Sequence, residues 1–484
     1  MKVPDFMKMM VSVKGGMKME MLSCPLDRNN GFPLYEQLYA YIKKEIAQGR
    51  IEYGTKLPSK RKLSEYLKIS QNTIETAYEQ LVAEGYIEGV PRKGYFVQAF
   101  EDLEYIQSPS HPIKKVEKSE KKIKYNFHPG WIDTKNFPFS KWRRYLKNTM
   151  INENHSLLLL GNVQGDIEFR EEIAKYLYHA RGVQCSPEQI MIGAGSDILL
   201  QHLMQVFQNN TIYGVEDPGY HVISHLLKRE KREVFPLEVD EEGVRVDPLM
   251  QSGVNVVYVT PSHHFPYGSV LSVNRRNKLL SWAMKDDNRY VIEDDYDSEF
   301  RYSGKSIPSL QSMDKGDKVI YLGSFSKSLI PSMRISYMVI PKRLLAQFKQ
   351  AVSFYSCSVS RMDQYVLTQF MKNGDFERHL NRMRKIYRDK MERTLDAIKP
   401  FDEKIKPIGE HSGLHIVLEI ENGMSEQQLL NKAEENQIKV YPLSSYLLDK
   451  RKENPPRIIL GFAGISEEHL EEAIRSLLKS WDIL

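Results

Sequence analysis

The sequence predicts a multidomain chain: a small helical head closed by a β-hairpin, followed by a large α/β domain. Three observations carry this. At 484 residues the chain exceeds one ordinary core and suits two or three domains. Near the amino end apolar residues repeat at helical spacing. Beyond residue 127 short β-branched runs alternate with helical stretches, the pattern of a parallel sheet with helices on its faces.

The head spans 31–98. In "PLYEQLYAYIKKEIAQG", Leu34, Leu38, Ile42 and Ile46 fall four apart and Gly49 marks the stop, which predicts an amphipathic helix. In "LPSKRKLSEYLKIS", Ser59 behind Pro58 is the expected N-cap of a second helix with Leu63, Tyr66 and Leu67 inward. Ser70 caps a third, whose apolar face is Ile74, Ala77, Tyr78 and Leu81 and whose end is Gly85. "YIEGVPRKGYFV" then reads as a hairpin with "VPRKG" at its tip. Three helices and a hairpin in this order make a winged helix-turn-helix, whose third helix offers its first residues to the major groove of double-stranded DNA. The head carries ten basic and eight acidic residues, so placement matters more than net charge. Lys60, Arg61, Lys62, Arg92 and Lys93 fall at the second-helix start and the hairpin tip, where phosphates would run. Ser70, Gln71, Asn72 and Thr73 can reach phosphates or base edges.

Composition fits folded, reducing surroundings. Apolar residues make up 41% and charged residues 27%, and net charge is only +5, so any DNA contact is local. Cys24, Cys185 and Cys357 are odd in number and far apart, which fits neither a disulfide framework nor a metal site, and points to the cytoplasm. No run is long enough to cross a membrane. Residues 1–30, with seven methionines in the first 21, are expected to be a disordered leader, or the true start is Met21. The proline-bearing, charged segment 99–126, including "KKVEKSEKKIK", is expected to be a solvated linker.

In the large part, 127–484, ligands are expected outside the carboxyl ends of parallel strands, and four clusters fall there. "GAGSD" places Gly195, Ser196 and Asp197 at a helix start, where free N–H groups can receive a phosphate. "EDPGY" can hold Tyr220 over a flat ring. "VIEDDYDSEF" ends a strand with Asp294 and Tyr296 on one side of an extended chain. "GSFSKS" supplies Ser324, Ser326 and Lys327, with Arg334 downstream. An aldehyde cofactor with a phosphate and a pyridine nitrogen would use all four. Lys327 can form a Schiff base, Asp294 can hold the pyridinium proton, Tyr296 can donate to the ring oxygen, and Ser196, Ser324 and Arg334 can grip phosphate.

These motifs carry a resemblance. "LPSKRKLSEYL" with "SQNTIETAYEQL" resembles GntR-type winged helices, and "EDPGY", "TPSHHFPYG", "EDDYDSEFRY" and "SFSKSLIPSMR" together resemble fold type I aminotransferases, which carry pyridoxal 5'-phosphate (PLP). Joined in one chain they resemble the MocR/GabR subfamily of bacterial regulators. The resemblance implies an aminotransferase-like fold with a smaller α+β carboxyl-terminal subdomain, PLP on Lys327, a DNA operator, an amino-compound effector or PLP itself as signal, and a homodimer. It also implies that Arg457 in "PPRIILGF" receives an effector carboxylate.

Departures from the family pattern bear on turnover. Val222 stands where the GABA-responsive member has a second ligand arginine, Phe265 where many transaminases have an asparagine near the ring oxygen, and Asp197 beside the phosphate position. These losses weigh on fast exchange of substrates more than on cofactor binding. A regulator, with at most a residual transaminase half-reaction, is therefore expected; the alternative is an active PLP-dependent aminotransferase with an accessory DNA-binding domain.

Overall fold

In the computed structural model, which describes residues 22, 24–28, 31–99, 123–304, 306–448 and 455–484, the chain splits into two compact units, Met1–Lys118 and Ser119–Leu484. Most of the expected leader and of the expected linker lies outside the described residues.

The first unit is built as its periodicity requires. Helices α1 (Leu34–Ala47), α2 (Lys60–Leu67) and α3 (Gln71–Ala83) precede a hairpin of β1 (Ile87–Val90) and β2 (Gly94–Val97). Leu38, Ile42 and Ile46 meet Leu63, Ile74, Ala77, Tyr78 and Leu81 in one core, and Tyr78 adds a hydrogen bond from its hydroxyl to the Pro58 carbonyl at 3.0 Å. Ser59 and Ser70 cap α2 and α3, each accepting the backbone N–H three residues on. Tyr66 does not face inward: it is 47% exposed, because the eight-residue α2 presents only Leu63 fully to the core. The head also begins before residue 31. Leu22 is buried in its core, and the Gln37 side chain bonds both the N–H and the carbonyl of Asp27.

The second unit likewise starts inside the expected linker. Tyr125 is buried, and β3 (Tyr125–Asn126) pairs in parallel with β14 (Ile438–Lys439). An eight-stranded sheet follows, in the order β4 (Ile190–Gly193), β11 (Ser336–Val339), β10 (Val319–Ser324), β9 (Tyr290–Asp295), β8 (Val256–Val259), β5 (Ile212–Asp217), β6 (Glu233–Asp240) and β7 (Gly243–Val244). Strands β10, β9, β8, β5 and β6 run parallel; β11 runs antiparallel to both its neighbours. "RISYMVIP" thus belongs to the sheet but reverses it, because Phe325–Ile335 is too short for the crossover a parallel return needs.

Alternation along the strands sorts the core. Tyr258, Ile292 and Ile320 pack towards α6 (Ser196–Met204), α7 (His221–Arg229) and α10 (Lys342–Val352). Val257, Val291 and Val319 pack on the opposite face towards α8 (Val273–Met284). Helices α4 (Phe139–Thr149), α5 (Ile167–Arg181) and α11 (Arg361–Lys372) and the 24-residue α12 (Asp375–Ile398) complete the large domain. A smaller α+β subdomain closes the chain: the sheet β12 (Ile405–Ile408), β13 (His415–Ile420), β16 (Arg457–Gly461) and β15 (Tyr441–Pro442), backed by α13 (Glu426–Glu435) and α14 (Leu470–Ser480). Among the described residues no helix is long and apolar enough to cross a membrane.

Candidate functional site

The carboxyl ends of β4, β5, β9 and β10 bring the four clusters together. Lys327 lies on α9 (Phe325–Ser328), the single turn that follows β10. Its Nζ donates to the Pro129 carbonyl at 3.0 Å, and burial pushes the amine down to about 8 against the pull of Asp297. An amine so placed has a far larger neutral fraction near physiological pH than a solvated lysine, and the neutral form is what attack on a carbonyl requires.

Asp294 points to the face of Ile292 and accepts a short hydrogen bond from the Tyr258 hydroxyl. Burial pushes its carboxyl up to about 7, Tyr258 opposing and Asp295 and Asp297 adding to the rise. An acid in that range can hold or release a proton facing a ring nitrogen. Tyr220, at the start of α7, has its hydroxyl held above its usual range chiefly by burial; Asp294, Asp197 and Arg334 are the charges that act on it. It therefore lies within electrostatic reach of both the acid and the expected phosphate position.

That position is built from both sides of the reversed strand. Ser336 of β11 pairs with Ser324 of β10, and the two hydroxyls lie 3.1 Å apart; Ser324 in turn caps α9 by accepting from the Ser326 N–H at 3.1 Å. Arg334, two residues before Ser336, is returned to the same edge and donates to Asp197 at 3.0 Å. Gly195 has φ +113, and a side chain there would collide with Arg334 and Asp197. Its bare backbone leads into the first turn of α6, whose amides have no helical acceptors, so an anion can approach. Both partners of the Arg334–Asp197 pair are about half exposed, so the pair is weak enough to yield to a phosphate.

These residues fit PLP: an amine for its aldehyde, an acid for its ring nitrogen, and a glycine cradle with a guanidinium and hydroxyls for its phosphate. Two expected roles meet a different arrangement. The Tyr296 hydroxyl lies 2.9 Å from His263 Nδ1, which also bonds Asp297 at 2.8 Å, so it is already engaged. Arg457 is not an open fork: Nε and Nη2 donate to Glu419 at 2.9 and 2.7 Å, and Nη1 donates to the Tyr267 hydroxyl at 3.0 Å. Register explains it, since Glu419 and Arg457 are directly opposed on β13 and β16. Sequence reasoning missed Tyr258, His263, Asp297 and the Pro129 carbonyl. Tyr258 alone left a trace: it precedes "VTPS" on a strand next to that of Asp294, at a position facing the same side.

On the head, Gln71, Asn72, Arg92 and Lys93 are exposed, and Arg61 is exposed in a pair with Glu65. Lys60 instead forms a short ion pair with Glu75, tying α2 to α3, and Ser70 and Thr73 bond each other at 2.8 Å. Lys93 N–H closes the wing turn on the Val90 carbonyl at 3.0 Å, with Arg92 at φ +64.

Comparison with known proteins agrees with both units. Residues 34–97 match the model of bacterial regulatory proteins of the gntR family, and residues 126–477 match aminotransferase class I and II. The chain is 45% identical to YdeL of Bacillus subtilis (strain 168), an uncharacterized HTH-type transcriptional regulator, over 95% of this chain and 99% of YdeL. It is 31% identical to MocR of Rhizobium meliloti, a probable rhizopine catabolism regulatory protein, over 93% of this chain and 94% of MocR. A solved kynurenine aminotransferase of Pyrococcus horikoshii matches 75% of this chain and 92% of its own, at 26% identity and a TM-score of 0.67. Proteins of that fold family use PLP. A gntR-type head joined to an aminotransferase domain over nearly the full length of such relatives makes the chain a transcriptional regulator of the MocR/GabR subfamily.

Proposed function

We propose that this regulator holds PLP on Lys327, reads an amino compound or PLP itself there, and passes the result to operator DNA as a cytoplasmic homodimer. The observation that carries it is Lys327 itself: a half-buried lysine whose amine donates to the Pro129 carbonyl at 3.0 Å and is pushed down to about 8, on the same strand-end edge as Asp294 and Arg334. When bound, PLP supplies an aldehyde for which primary amines compete. In this reading Lys327 anchors it, Asp294 holds the proton at the ring nitrogen, and Tyr220 covers the ring. Ser196, Ser324, Ser326, Arg334 and the amides after Gly195 receive the phosphate; Asp197 must release Arg334 for this. Tyr296 acts at the ring oxygen through the hydroxyl it shares with His263.

In the head, Arg61, Arg92 and Lys93 meet phosphates, Gln71 and Asn72 reach base edges, and Lys60, Ser70 and Thr73 hold the helices in register as well. A second copy is supported by Leu158, Leu159 and Leu160, which are 70%, 66% and 86% exposed in succession, an apolar run suited to burial against a partner. For a ligand to switch such a dimer almost completely it must prefer one arrangement by about 5.5 kcal/mol.

The test is absorbance of the full-length protein supplied with PLP, read beside operator binding. The parent is expected to gain a visible band that Lys327→Ala lacks, and amines are expected to change operator affinity only in the parent. A parent that stays colourless, or a Lys327→Ala protein that responds to amines as the parent does, overturns the proposal.

A further inference from the structure

A buried aromatic and apolar cluster lies beside the site. Phe265, Tyr446 and Ile459 are buried together, and Tyr296 and Tyr441 pack against them. Phe265 lies 6.0 Å from the ring of Tyr220 and 6.2 Å from that of Tyr296, and two chains of contact run on from this wall towards the lysine. Phe265 lies 5.2 Å from the ring of His415, a buried imidazole pushed down to about 3 chiefly by burial, with the charge of Lys327 among the lesser causes. Tyr441 lies 4.8 Å from the ring of His128, the residue before the Pro129 whose carbonyl receives Lys327 Nζ.

The cation expected to receive a carboxylate is committed elsewhere. Arg457 gives two donors to Glu419 and a third to Tyr267, and its guanidinium lies over the Tyr267 ring at 5.6 Å. The Glu419 side chain is only 15% exposed, so drawing Arg457 away would leave a largely buried carboxylate unpaired. A ligand carboxylate would have to break the two hydrogen bonds from Arg457 to Glu419 Oε2 or lie against aromatic rings without a partner, and either is unfavourable.

We infer that the site admits an amine whose far end is aromatic or otherwise apolar, and disfavours amino acids, whose carboxylate would meet Arg457 already paired. The inference rests on the reading that Lys327 holds PLP. Aromatic wall and filled fork select the same class: the first rewards a flat apolar group by burial and edge-to-face packing, and the second withholds the one interaction that would offset desolvating an acid.

The experiment titrates the PLP-loaded full-length protein with 2-phenylethylamine, L-phenylalanine and 4-aminobutyrate, reading the visible absorbance. It is repeated on the Arg457→Gln/Glu419→Gln double variant, which keeps the pair neutral and hydrogen-bonded. Expected is half-saturation by 2-phenylethylamine at a concentration at least about tenfold below that of either carboxylate-bearing probe, the size of effect one unpaired buried polar group exerts. The ratio between 2-phenylethylamine and L-phenylalanine should stay within about twofold in the double variant. The inference is overturned if either carboxylate-bearing probe matches 2-phenylethylamine in the parent, if L-phenylalanine alone weakens about tenfold in the double variant, or if none of the three alters an otherwise normal band. A parent that forms no band with PLP is a different failure, since it removes the reading beneath the inference.

Discussion

In the head, Arg61 and Arg92 stand in water at the ends of short elements, whereas in the large domain Asp294 and Lys390 are shut away from it and Lys327 is half-buried with its amine on the Pro129 carbonyl. The same charges therefore do different work. An exposed arginine keeps its ordinary character and acts at a distance that salt can screen. At Lys327 and Asp294 burial changes the chemistry, because the charged form has lost its water. The first kind suits a polyanion that is recognised along a surface, the second a small ligand that must react at one atom.

The widest gap between the two regions should appear in stability. Lys390 is almost wholly buried, donating to Asp133 at 2.9 Å and to the carbonyls of Ala463 and Ile465 at 2.9 and 2.7 Å. Lys390→Met strands the Asp133 carboxylate and should cost about 3–5 kcal/mol by urea unfolding. Arg61→Ala, by contrast, should leave the unfolding midpoint where it is, since its pair with Glu65 is open to solvent. Equal effects of the two would break the contrast.

A pH series sharpens it. With its amine pushed down to about 8, Lys327 gains neutral form as pH rises, is half neutral near pH 8 and is mostly neutral above about pH 9. The initial rate of PLP capture, followed by absorbance, should rise about tenfold from pH 6 to pH 7 and level off above pH 8. A rate that still climbs about tenfold from pH 8 to pH 9 would mean an amine in lysine's ordinary, solvated range.

The smallest effect separates backbone from charge at the wing tip. Arg92 holds φ +64, where a side chain is strained and glycine is not. Arg92→Gly should stabilise the protein by about 1 kcal/mol while reducing the log–log salt slope of operator binding by about 0.9, the signature of one lost phosphate contact. A slope that does not change would remove Arg92 from the DNA-facing surface.

The head was largely legible in the sequence because its contacts are local: α1, α2 and α3 show their apolar faces and caps within a few residues, and only Tyr66 and the docking of Leu22 escaped. The strands of the large sheet were legible for the same reason, but the reversal of β11 depends on a connection length weighed against a crossover. The clusters at the strand ends could be gathered from the rule for parallel sheets and the family motifs. What tunes them could not. Tyr258 beside Asp294, His263 beside Asp297 and Glu419 on Arg457 meet across strands far apart in the chain, and no periodicity announces such pairs. Arg457 shows the cost: as a letter it offers a fork, and in the sheet the fork is already full.

The backward run of β11 has one more result. Because Lys327 leaves one arm of the β10–β11 hairpin and Arg334 enters the other, with Ser324 and Ser336 clasped between them, a molecule held at both points rides on a single rigid fastening. Hinge motion elsewhere in the domain could turn that molecule relative to its surroundings without stretching it.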